Sequence, residues 1–508
     1  MNRRTLLGGL TLALSLLCVG QPAQAQKSAD TLRIVFRDGV PNIDPYYNNL
    51  RTGLVLAHHG WDTLVYRDPG TFDIKPLLAT EWKFVDAVTL DFTLRQGVKF
   101  HDGSSLTADD VVYTLNLISN PDSKVSTPSN FSWIDHAEKT GDYAVRVILK
   151  KPTPAALQYF ALVIPIYPKA YREKVGPEAY AKAPVGSGPY KIVKVDPGAS
   201  VDFERFDDYW AGSPKGKPAI KNISVRFVPD ASTEMTELLA QRADWIWQFN
   251  PDQFDQINKM PNLQAEKKES MRVGFLAIDA AGRSGAGNPL TNLKVRQAIW
   301  HAIDRQTIAD KLVTGGSRVP PAPCYPTQFG CDGDVAVKYD YDPAKAKALL
   351  AEAGFPNGFE TELITYVLPT WGAAVQNYLQ DVGIKVKLSQ LQVAAAVERS
   401  MRGENPLEFG SWGSYSINDV SAVFPNYFTF GSFDAQRDPE LKRLVEEGGA
   451  TNDLEKRHAA YAEAIKRETE NAYWLPLFTY TTTYAYSRTL EFTPYSDELP
   501  RFFLSKWK

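Results

Sequence analysis

The feature that most constrains this 508-residue chain is a regular alternation of helices and strands after Asp342. Asp342 is a natural N-cap, Pro343 suits the first helical position, and a glycine follows each predicted helix. The predicted elements are a helix from 343 to 353, a strand over 361–365, a helix over 370–382, a strand over 384–388, a helix over 393–402 and a strand over 407–411. Such alternation requires right-handed crossovers, so the sequence predicts an α/β fold with a parallel sheet.

Aromatic residues follow two strands of this predicted sheet. They are Tyr366 after the first strand, and Trp412 and Tyr415, with Gly413 and Ser414 between them, after the last. Ligands of open α/β sheets gather outside the carboxyl ends of the strands, and Trp and Tyr offer large contact areas with a polar tip. We therefore predict that a solute lies against residues 408–428, which also lack helical periodicity. The alternative is that Trp412 and Tyr415 pack in the core.

The N-terminus has the pattern of a targeting segment. Arg3 and Arg4 precede an apolar run over 6–19, and an A-x-A cleavage site follows at 23–25. The run is short for a span of a bilayer about 30 Å thick, although an uncleaved anchor is the alternative. Cys18 fits a lipidation site poorly. We predict a cleaved signal peptide over 1–25, of the Sec or twin-arginine type, and export to the periplasm.

The remaining two cysteines are Cys324 and Cys331, in the proline-rich segment PPAPCYPTQFGC. Two thiols in one short loop of an exported protein predict a disulfide. A redox or metal role is the alternative, but there is no C-x-x-C and no nearby histidine.

Several function classes find no support in the sequence. A formal net charge of -3 gives no footprint for nucleic acid. No phosphate-binding loop, nucleophile elbow or H-E-x-x-H motif is present. His58 and His59 are adjacent, and neighbours on a helix rarely share a metal. We predict no catalytic residues, no metal and no cofactor.

A hairpin that leads into a helix is predicted within 81–116, EWKFVDAVTLDFTLRQGVKFHDGSSLTADDVVYTLN. Thr107 and Asp110 there form a capping box. This segment resembles the signature LR-x-G-V-x-F-H-D-G … T-A-x-D-V of the peptide/nickel class of extracytoplasmic solute-binding proteins, family 5, which are the receptors of ABC importers. Three further signatures follow in family order: PVGSGPY at 184–190, NPLTNLKVRQAI with AIDR within 288–305, and YDPAKA with AGFPNGF within 341–359.

The resemblance implies a two-lobed periplasmic binding protein-like fold with an extra domain inserted in the first lobe. The implied layout is 1–25 signal peptide, 26–66 first part of lobe I, 67–183 inserted domain II, 184–282 second part of lobe I, 283–475 lobe II, and 476–508 return to lobe I. It also implies a monomer that closes on a small-molecule solute by hinge motion. The closed form would dock on an inner-membrane permease driven by a cytoplasmic ATPase.

The resemblance also bears on the solute. In peptide-binding relatives, a Trp after this strand is followed three residues later by an Asp that pairs with the peptide's ammonium. Trp412 matches the Trp, whereas Tyr415 occupies the Asp position, and Asp419 could substitute at a different spacing. The basic residue that dipeptide-binding relatives place near 366–370 is also missing. The predicted solute is a peptide or peptide-like compound, with an opine, sugar, glutathione-like compound or metal chelate as the alternative.

Four further residues are candidates for solute contact. Tyr46 follows the first strand, Trp133 lies in a loop of the inserted domain, and Trp247 lies near the interlobe crossing. Arg272 precedes a strand and could meet an anionic group. Core or surface packing is the alternative for each. Two rival functions remain open: an exported hydrolase that uses the same cleft, and an exported chaperone or sensor.

Overall fold

The computed structural model describes residues 30–48 and 50–508. The strands are β1 (Thr31–Phe36), β2 (Val65–Arg67), β3 (Ile74–Pro76), β4 (Ala79–Phe84), β5 (Thr89–Leu94), β6 (Ile134–Gly141), β7 (Ala144–Leu149), β8 (Tyr190–Asp196), β9 (Ser200–Arg205), β10 (Asn222–Phe227), β11 (Trp245–Trp247), β12 (Leu263–Ile278), β13 (Glu360–Thr365), β14 (Lys385–Gln390), β15 (Leu407–Trp412), β16 (Trp474–Ser487), β17 (Leu490–Glu491) and β18 (Lys506–Trp507).

The α-helices are α1 (Arg51–Gly60), α2 (Ala108–Ser119), α3 (Ala156–Leu162), α4 (Lys169–Lys182), α5 (Ala231–Leu239), α6 (Phe254–Asn258), α7 (Leu293–Ala302), α8 (Arg305–Thr307), α9 (Pro343–Glu352), α10 (Pro369–Asp381), α11 (Val393–Arg402), α12 (Phe424–Phe428), α13 (Pro439–Gly449) and α14 (Leu454–Glu470). A π-helical stretch, Ile308–Val313, continues from α8. None of the helices among the described residues combines the length and apolar character needed to cross a membrane. The predicted signal peptide lies outside the described part of the chain.

One ten-stranded sheet runs through most of the molecule, in the order β14-β13-β15-β12-β16-β11-β1-β10-β9-β8. The long strands β12 and β16 pair antiparallel, with a register shift between Glu269 and Val273. Before the shift, β12 pairs with the part of β16 that also pairs with β11. After the shift, β12 continues along β16 and also pairs with β15 on its other side. These two strands therefore join two halves of the sheet, one with β14, β13 and β15 and the other with β11, β1, β10, β9 and β8.

The parallel arrangement predicted from the helix–strand alternation is confirmed. β13 pairs parallel with β14 and with β15, and the register places Leu363 opposite Leu407. The predicted start of the first helix in this region is also confirmed. The Asp342 side chain accepts a hydrogen bond from the backbone N–H of Lys345, and Pro343 is the first residue of α9. Local capping chemistry thus sets where α9 begins.

A separate four-stranded antiparallel sheet has the order β4-β5-β7-β6. Helix α2 lies in the chain between β5 and β6, and Thr107 and Asp110 form the predicted capping box at the start of this helix. This sheet falls within the range 67–183 that the sequence predicts as an inserted domain. The domain boundaries themselves stay a prediction.

The signature at 184–190 packs closely against the end of α1. A Cβ atom added at Gly188 would lie 2.5 Å from the carbonyl oxygen of His59, and one at Gly186 would lie 2.1 Å from that of Gly60. No side chain fits at either position, so the two glycines allow the chain before β8 to lie directly against α1.

Residues 408–428 are more regular than their composition suggests. The segment begins in β15, passes through short 3₁₀ turns and ends in α12. The expectation that this segment contains no helix, which came from its lack of helical periodicity, is therefore wrong at its C-terminal end, where α12 lies. Pro425 at the start of α12 suits the first turn of a short helix.

Candidate binding site

A cavity of about 1060 Å³ lies where the two halves of the large sheet meet. Ser411, Trp412, Gly413, Ser414 and Tyr415 all line it, so the carboxyl end of β15 opens into this space. Its volume is slightly above the range of roughly 300–1,000 Å³ usual for small-molecule sites. The cavity is therefore large enough for a solute of several functional groups.

The structure brings seven of the ten predicted site residues to this cavity. They are Tyr46, Arg272, Tyr366, Trp412, Gly413, Ser414 and Tyr415. Tyr46 shows the cavity only an edge, because it is 2 % exposed and its hydroxyl donates to the carbonyl oxygen of Pro165. Whether these residues contact a solute stays a prediction.

Trp412 is held rigidly in the cavity wall. Its ring lies edge-on to Tyr415 and to Tyr427, with centroids 5.8 Å away in both cases. Its indole N–H donates to the carbonyl oxygen of Ala422 over 3.2 Å. A fixed indole presents apolar surface to a solute at little entropic cost.

The backbone beside Trp412 is strained. Ser414, Tyr415 and Ser416 have φ values of 45°, 49° and 62°, a left-handed conformation that residues other than glycine seldom adopt. Their neighbours hold them there: Gln328 donates to Ser414 Oγ, Arg51 donates to Ser416 Oγ over 2.9 Å, and Ser416 Oγ donates to the carbonyl oxygen of Asp497. Strain of this kind concentrates at functional sites.

Two arginines and a glutamate form a charged group in the cavity. Arg272 Nη2 lies 3.4 Å from Glu498 Oε2, and Arg51 Nη2 lies 3.9 Å from the same oxygen. Thr482 Oγ1 donates to Glu498 Oε1 over 2.7 Å. Burial would raise the pKa of Glu498, but Arg272 and Arg51 together lower it, and Glu498 in turn raises the pKa of Arg272.

No local sequence pattern marks Arg51 or Glu498 as site residues. Arg51 begins α1, Glu498 lies near the C-terminus, and the two approach Arg272 only in the folded chain. Arg272 is the exception among the three: the sequence predicts it just before a strand, but that position is wrong, because Arg272 lies inside β12, at its register shift.

A second group of polar residues lies at another part of the wall. Glu234 on α5 is 1 % exposed, and its Oε2 lies 3.4 Å from Arg37 Nε. Its Oε1 has no hydrogen-bond partner among the described residues. Burial raises the pKa of Glu234 to about 7, against a smaller opposite effect of Arg37.

Three predicted site residues do not line the cavity. Trp247 is buried among aromatic rings, 5.3 Å from Phe36, and Trp133 packs against Phe160 at 5.6 Å. Asp419 accepts two hydrogen bonds from Arg457 Nη2, at 2.8 and 3.0 Å. It is therefore committed to a buried ion pair and cannot substitute for the aspartate that peptide-binding relatives place near Trp412.

The adjacent histidines have structural partners. His58 Nε2 lies 2.9 Å from the carbonyl oxygen of Leu162, and His59 Nδ1 lies 2.7 Å from that of Val55. Burial lowers the pKa of both, to about 3 for His59, so they stay neutral. Within residues 30–48 and 50–508, no group of three or more His, Cys, Asp or Glu side chains could hold a metal ion.

Residues 73–434 match the model of the bacterial extracellular solute-binding proteins, family 5 Middle. The chain is 27% identical over 454 residues to heme-binding protein A of Haemophilus influenzae, covering 82% of this chain and 81% of that one. It is 28% identical over 516 residues to the probable di/tripeptide-binding protein 5 of Pseudomonas aeruginosa, covering 95% of each.

The fold has close counterparts among solved structures. HbpA2 from Haemophilus parasuis matches with a TM-score of 0.81 and 25% identity, over 94% of this chain and 100% of that one. The α/β, two-lobed fold class predicted from the sequence is thereby confirmed, and so is the family resemblance.

Proposed function

Since the chain belongs to family 5 of the bacterial extracellular solute-binding proteins, we propose that it captures a peptide or peptide-like solute in the cavity beside Trp412 and delivers it to an ABC-type importer. The observation that carries this proposal is the position of residues 411–415, which leave the carboxyl end of β15 and line the cavity. This is the place where open α/β sheets bind ligands.

The solute class is the finer part of the proposal. The named relatives differ in what they bind, one a heme and another di- and tripeptides. Tyr415 stands where peptide-binding relatives have an ammonium-binding Asp, and Asp419 is paired with Arg457. The same receptor role for an opine, a sugar, a glutathione-like compound or a metal chelate is therefore the second candidate.

A binding role suits the cavity better than hydrolysis. Ser411 and Ser414 line it, but no histidine is found among its described lining residues. Ser414 Oγ accepts a hydrogen bond from Gln328, an amide that cannot act as a general base. We propose that the protein has no covalent chemistry of its own.

The proposal extends to the cellular partners. An exported receptor of this family would work as a monomer in the periplasm and dock on an inner-membrane permease driven by a cytoplasmic ATPase. The basic, apolar and A-x-A segments over 1–25 support export by a cleaved signal peptide.

A thermal-shift screen of the mature protein tests the function. The panel is dipeptides, tripeptides, glutathione, opines, sugars and nickel–histidine, because a ligand that binds the folded state raises the melting temperature by mass action. We expect one class of compound to raise the melting temperature at micromolar concentration. A strain that lacks the gene should no longer take up that compound. Uptake that is unchanged in the deletion strain would favour the chaperone or sensor role.

A further inference from the structure

We infer that the cavity binds its solute through an acidic group, a carboxylate or a comparable anion, held between the guanidinium groups of Arg51 and Arg272. This inference rests on the proposed function and narrows the class of solute that the receptor takes. Four lines of observation support it: geometry, charge balance, the neighbouring residues, and the position of the two arginines relative to the halves of the sheet.

Arg51 and Arg272 both line the cavity, with side chains 17% and 32% exposed. Their distances to Glu498, 3.9 and 3.4 Å, are longer than those of a well-formed guanidinium–carboxylate pair, which are about 2.7–2.9 Å. Arg272 Nη2 donates to Glu498 Oε2, and Arg51 Nη1 donates to Ser416 Oγ over 2.9 Å. Because each guanidinium carries five N–H donors, these contacts do not use all of them.

The charge balance at this end of the cavity is positive. Glu498 is the single carboxylate that both Arg51 and Arg272 approach within 4 Å among the described residues. The adjacent Asp497 cannot compensate, because it is fully buried between Arg67 and Arg501, at 2.9 and 2.7 Å. The groups are thus four guanidiniums, Arg51, Arg67, Arg272 and Arg501, against two carboxylates, Asp497 and Glu498.

Partly desolvated charges of one sign attract an anion strongly, because the surroundings screen them less than water does. Burial lowers the pKa of Arg51; Glu498 acts against this, and Arg272 lowers the pKa further by repulsion that is smaller than the attraction of Glu498. A bound carboxylate would add a second negative charge beside both guanidiniums and accept hydrogen bonds from both side chains. Guanidinium groups suit carboxylates because their planar N–H pairs match the two oxygens.

The neighbouring residues disfavour a solute cation at this position. Gly413 is so near Arg272 that a Cβ atom there would lie 3.4 Å from the guanidinium carbon. The next side chain that lines the wall beyond Ser414 is Tyr415, which is uncharged. Glu408, the carboxyl group further along, is buried and accepts from Asn405 Nδ2 over 2.9 Å, and burial raises its pKa.

The two arginines also stand on both sides of the crossing between the halves of the sheet. Arg272 occupies the register shift of β12, where an irregular strand can turn a side chain toward a new direction. Arg51 reaches from α1 to Ser416, which follows β15 in the other half. An anion bound by both arginines would lie where the two halves of the sheet meet. It would therefore favour the form of the receptor that is closed around the solute over the open form.

The experiment compares matched acids and amides. Glutathione and a set of dipeptides are each titrated as the free acid and as the C-terminal amide, by calorimetry, into the wild-type protein and the Arg51→Gln and Arg272→Gln variants. Arg146→Gln is the control, because Arg146 pairs with Asp91 on the four-stranded sheet and lies outside the cavity. Circular dichroism and the melting temperature establish that each variant is folded.

We expect the wild-type protein to bind the acids at least about tenfold more tightly than the amides, as a charge-assisted contact predicts. Either cavity variant should lose most of that ratio, with little change for the amides, and the control should retain it. Equal binding of acids and amides by wild type would overturn the inference and leave the receptor function standing. Failure of every probe, acid and amide alike, would overturn the peptide-like solute of the proposed function and this inference with it.

If a glutamine variant fails to fold, Arg272→Lys replaces it. Lysine keeps the positive charge but loses the paired N–H donors. The acid-to-amide ratio should then fall to an intermediate value. An unchanged ratio in a folded Arg272→Lys variant, together with an unchanged ratio in Arg51→Gln, would mean that the arginines serve the fold and not the solute.

Discussion

Gln328 donates a hydrogen bond from its side-chain amide to Ser414 Oγ over 2.9 Å. The same nitrogen donates to the carbonyl oxygen of Ile417, and Gln328 Oε1 accepts from the backbone N–H of Tyr325. Gln328 lies in the loop closed by the disulfide between Cys324 and Cys331, whose Cα atoms are 5.8 Å apart. The disulfide loop therefore supports the left-handed segment that carries Tyr415 into the cavity.

Replacing Gln328 by Ala should weaken solute binding about fivefold to tenfold, because the strained segment loses two buried hydrogen bonds, to Ser414 Oγ and to the carbonyl oxygen of Ile417, worth roughly 1 kcal/mol each. Calorimetry with the solute found in the thermal-shift screen measures this. Gln306→Ala is the matched control, since Gln306 is exposed and its side-chain amide donates to Asp310, one turn along the chain. Equal affinity of Gln328→Ala and wild type would show that the segment holds its conformation without the loop.

Opening the disulfide should lower the free energy of unfolding. The chain-entropy model gives roughly 2–3 kcal/mol for so small a ring. Cys324→Ser with Cys331→Ser should therefore show an earlier transition in guanidinium chloride, and should weaken solute binding in the same direction as Gln328→Ala. A free-thiol count of two on denatured, unreduced wild-type protein would contradict the bridge itself.

Trp412→Ala should weaken solute affinity by about 1 kcal/mol or more, the size of an interface hot spot. The indole is fixed by Tyr415, Tyr427 and the carbonyl oxygen of Ala422, so its loss removes preorganised apolar surface. Calorimetry provides the measurement. Trp82→Ala, on β4 of the four-stranded sheet, controls for the general effect of a lost tryptophan, and unchanged affinity in Trp412→Ala would exclude the segment as the binding wall.

The fold was predictable where local chemistry decides it. Asp342, Pro343 and the glycines after each helix fix the α/β part through capping, which acts over a few residues. The carboxyl end of β15 was predictable as a site for the same reason, because strand polarity follows from the crossovers.

Other parts of the site depend on contacts between distant residues. Arg51 and Ser416 are 365 residues apart in the chain, and Arg272 and Glu498 are 226 apart. Composition also cannot tell a cavity aromatic from a core aromatic. Trp247 and Trp133 are as aromatic as Trp412, but β11 and the loop before β6 direct them into the core.

Tyr415→Asp should shift the preference of the receptor toward solutes with a free ammonium group. Asp is the residue that peptide-binding relatives place here, and it tolerates the left-handed conformation of this position better than Tyr does. Affinity for a dipeptide relative to its N-acetylated form, measured by calorimetry, should rise about tenfold. Tyr415→Asn has nearly the same shape as the Asp variant without its charge, and an equal rise in that variant would contradict an electrostatic cause.

Stability should depend on pH through Glu234. Burial raises the pKa of this carboxyl to about 7 in the folded protein, whereas in the unfolded chain it ionises near its usual value of about 4.3. The folded state therefore binds more protons between these two values, and the contribution of Glu234 to the free energy of unfolding falls as the pH rises through that window. At about 1.4 kcal/mol per pKa unit, the loss approaches about 4 kcal/mol above pH 7.

Glu234→Gln removes the titration while keeping the size of the side chain. Compared with wild type, its free energy of unfolding at pH 8 relative to that at pH 5 should therefore be higher, by up to about 3 kcal/mol. Urea denaturation at the two pH values measures the difference. Glu463→Gln, exposed on α14, should leave the pH dependence as it is in wild type. Equal loss of stability by Glu234→Gln and wild type between pH 5 and pH 8 would contradict the prediction. It would mean that Arg37 keeps Glu234 ionised throughout this range, so that both side chains are charged at the cavity wall.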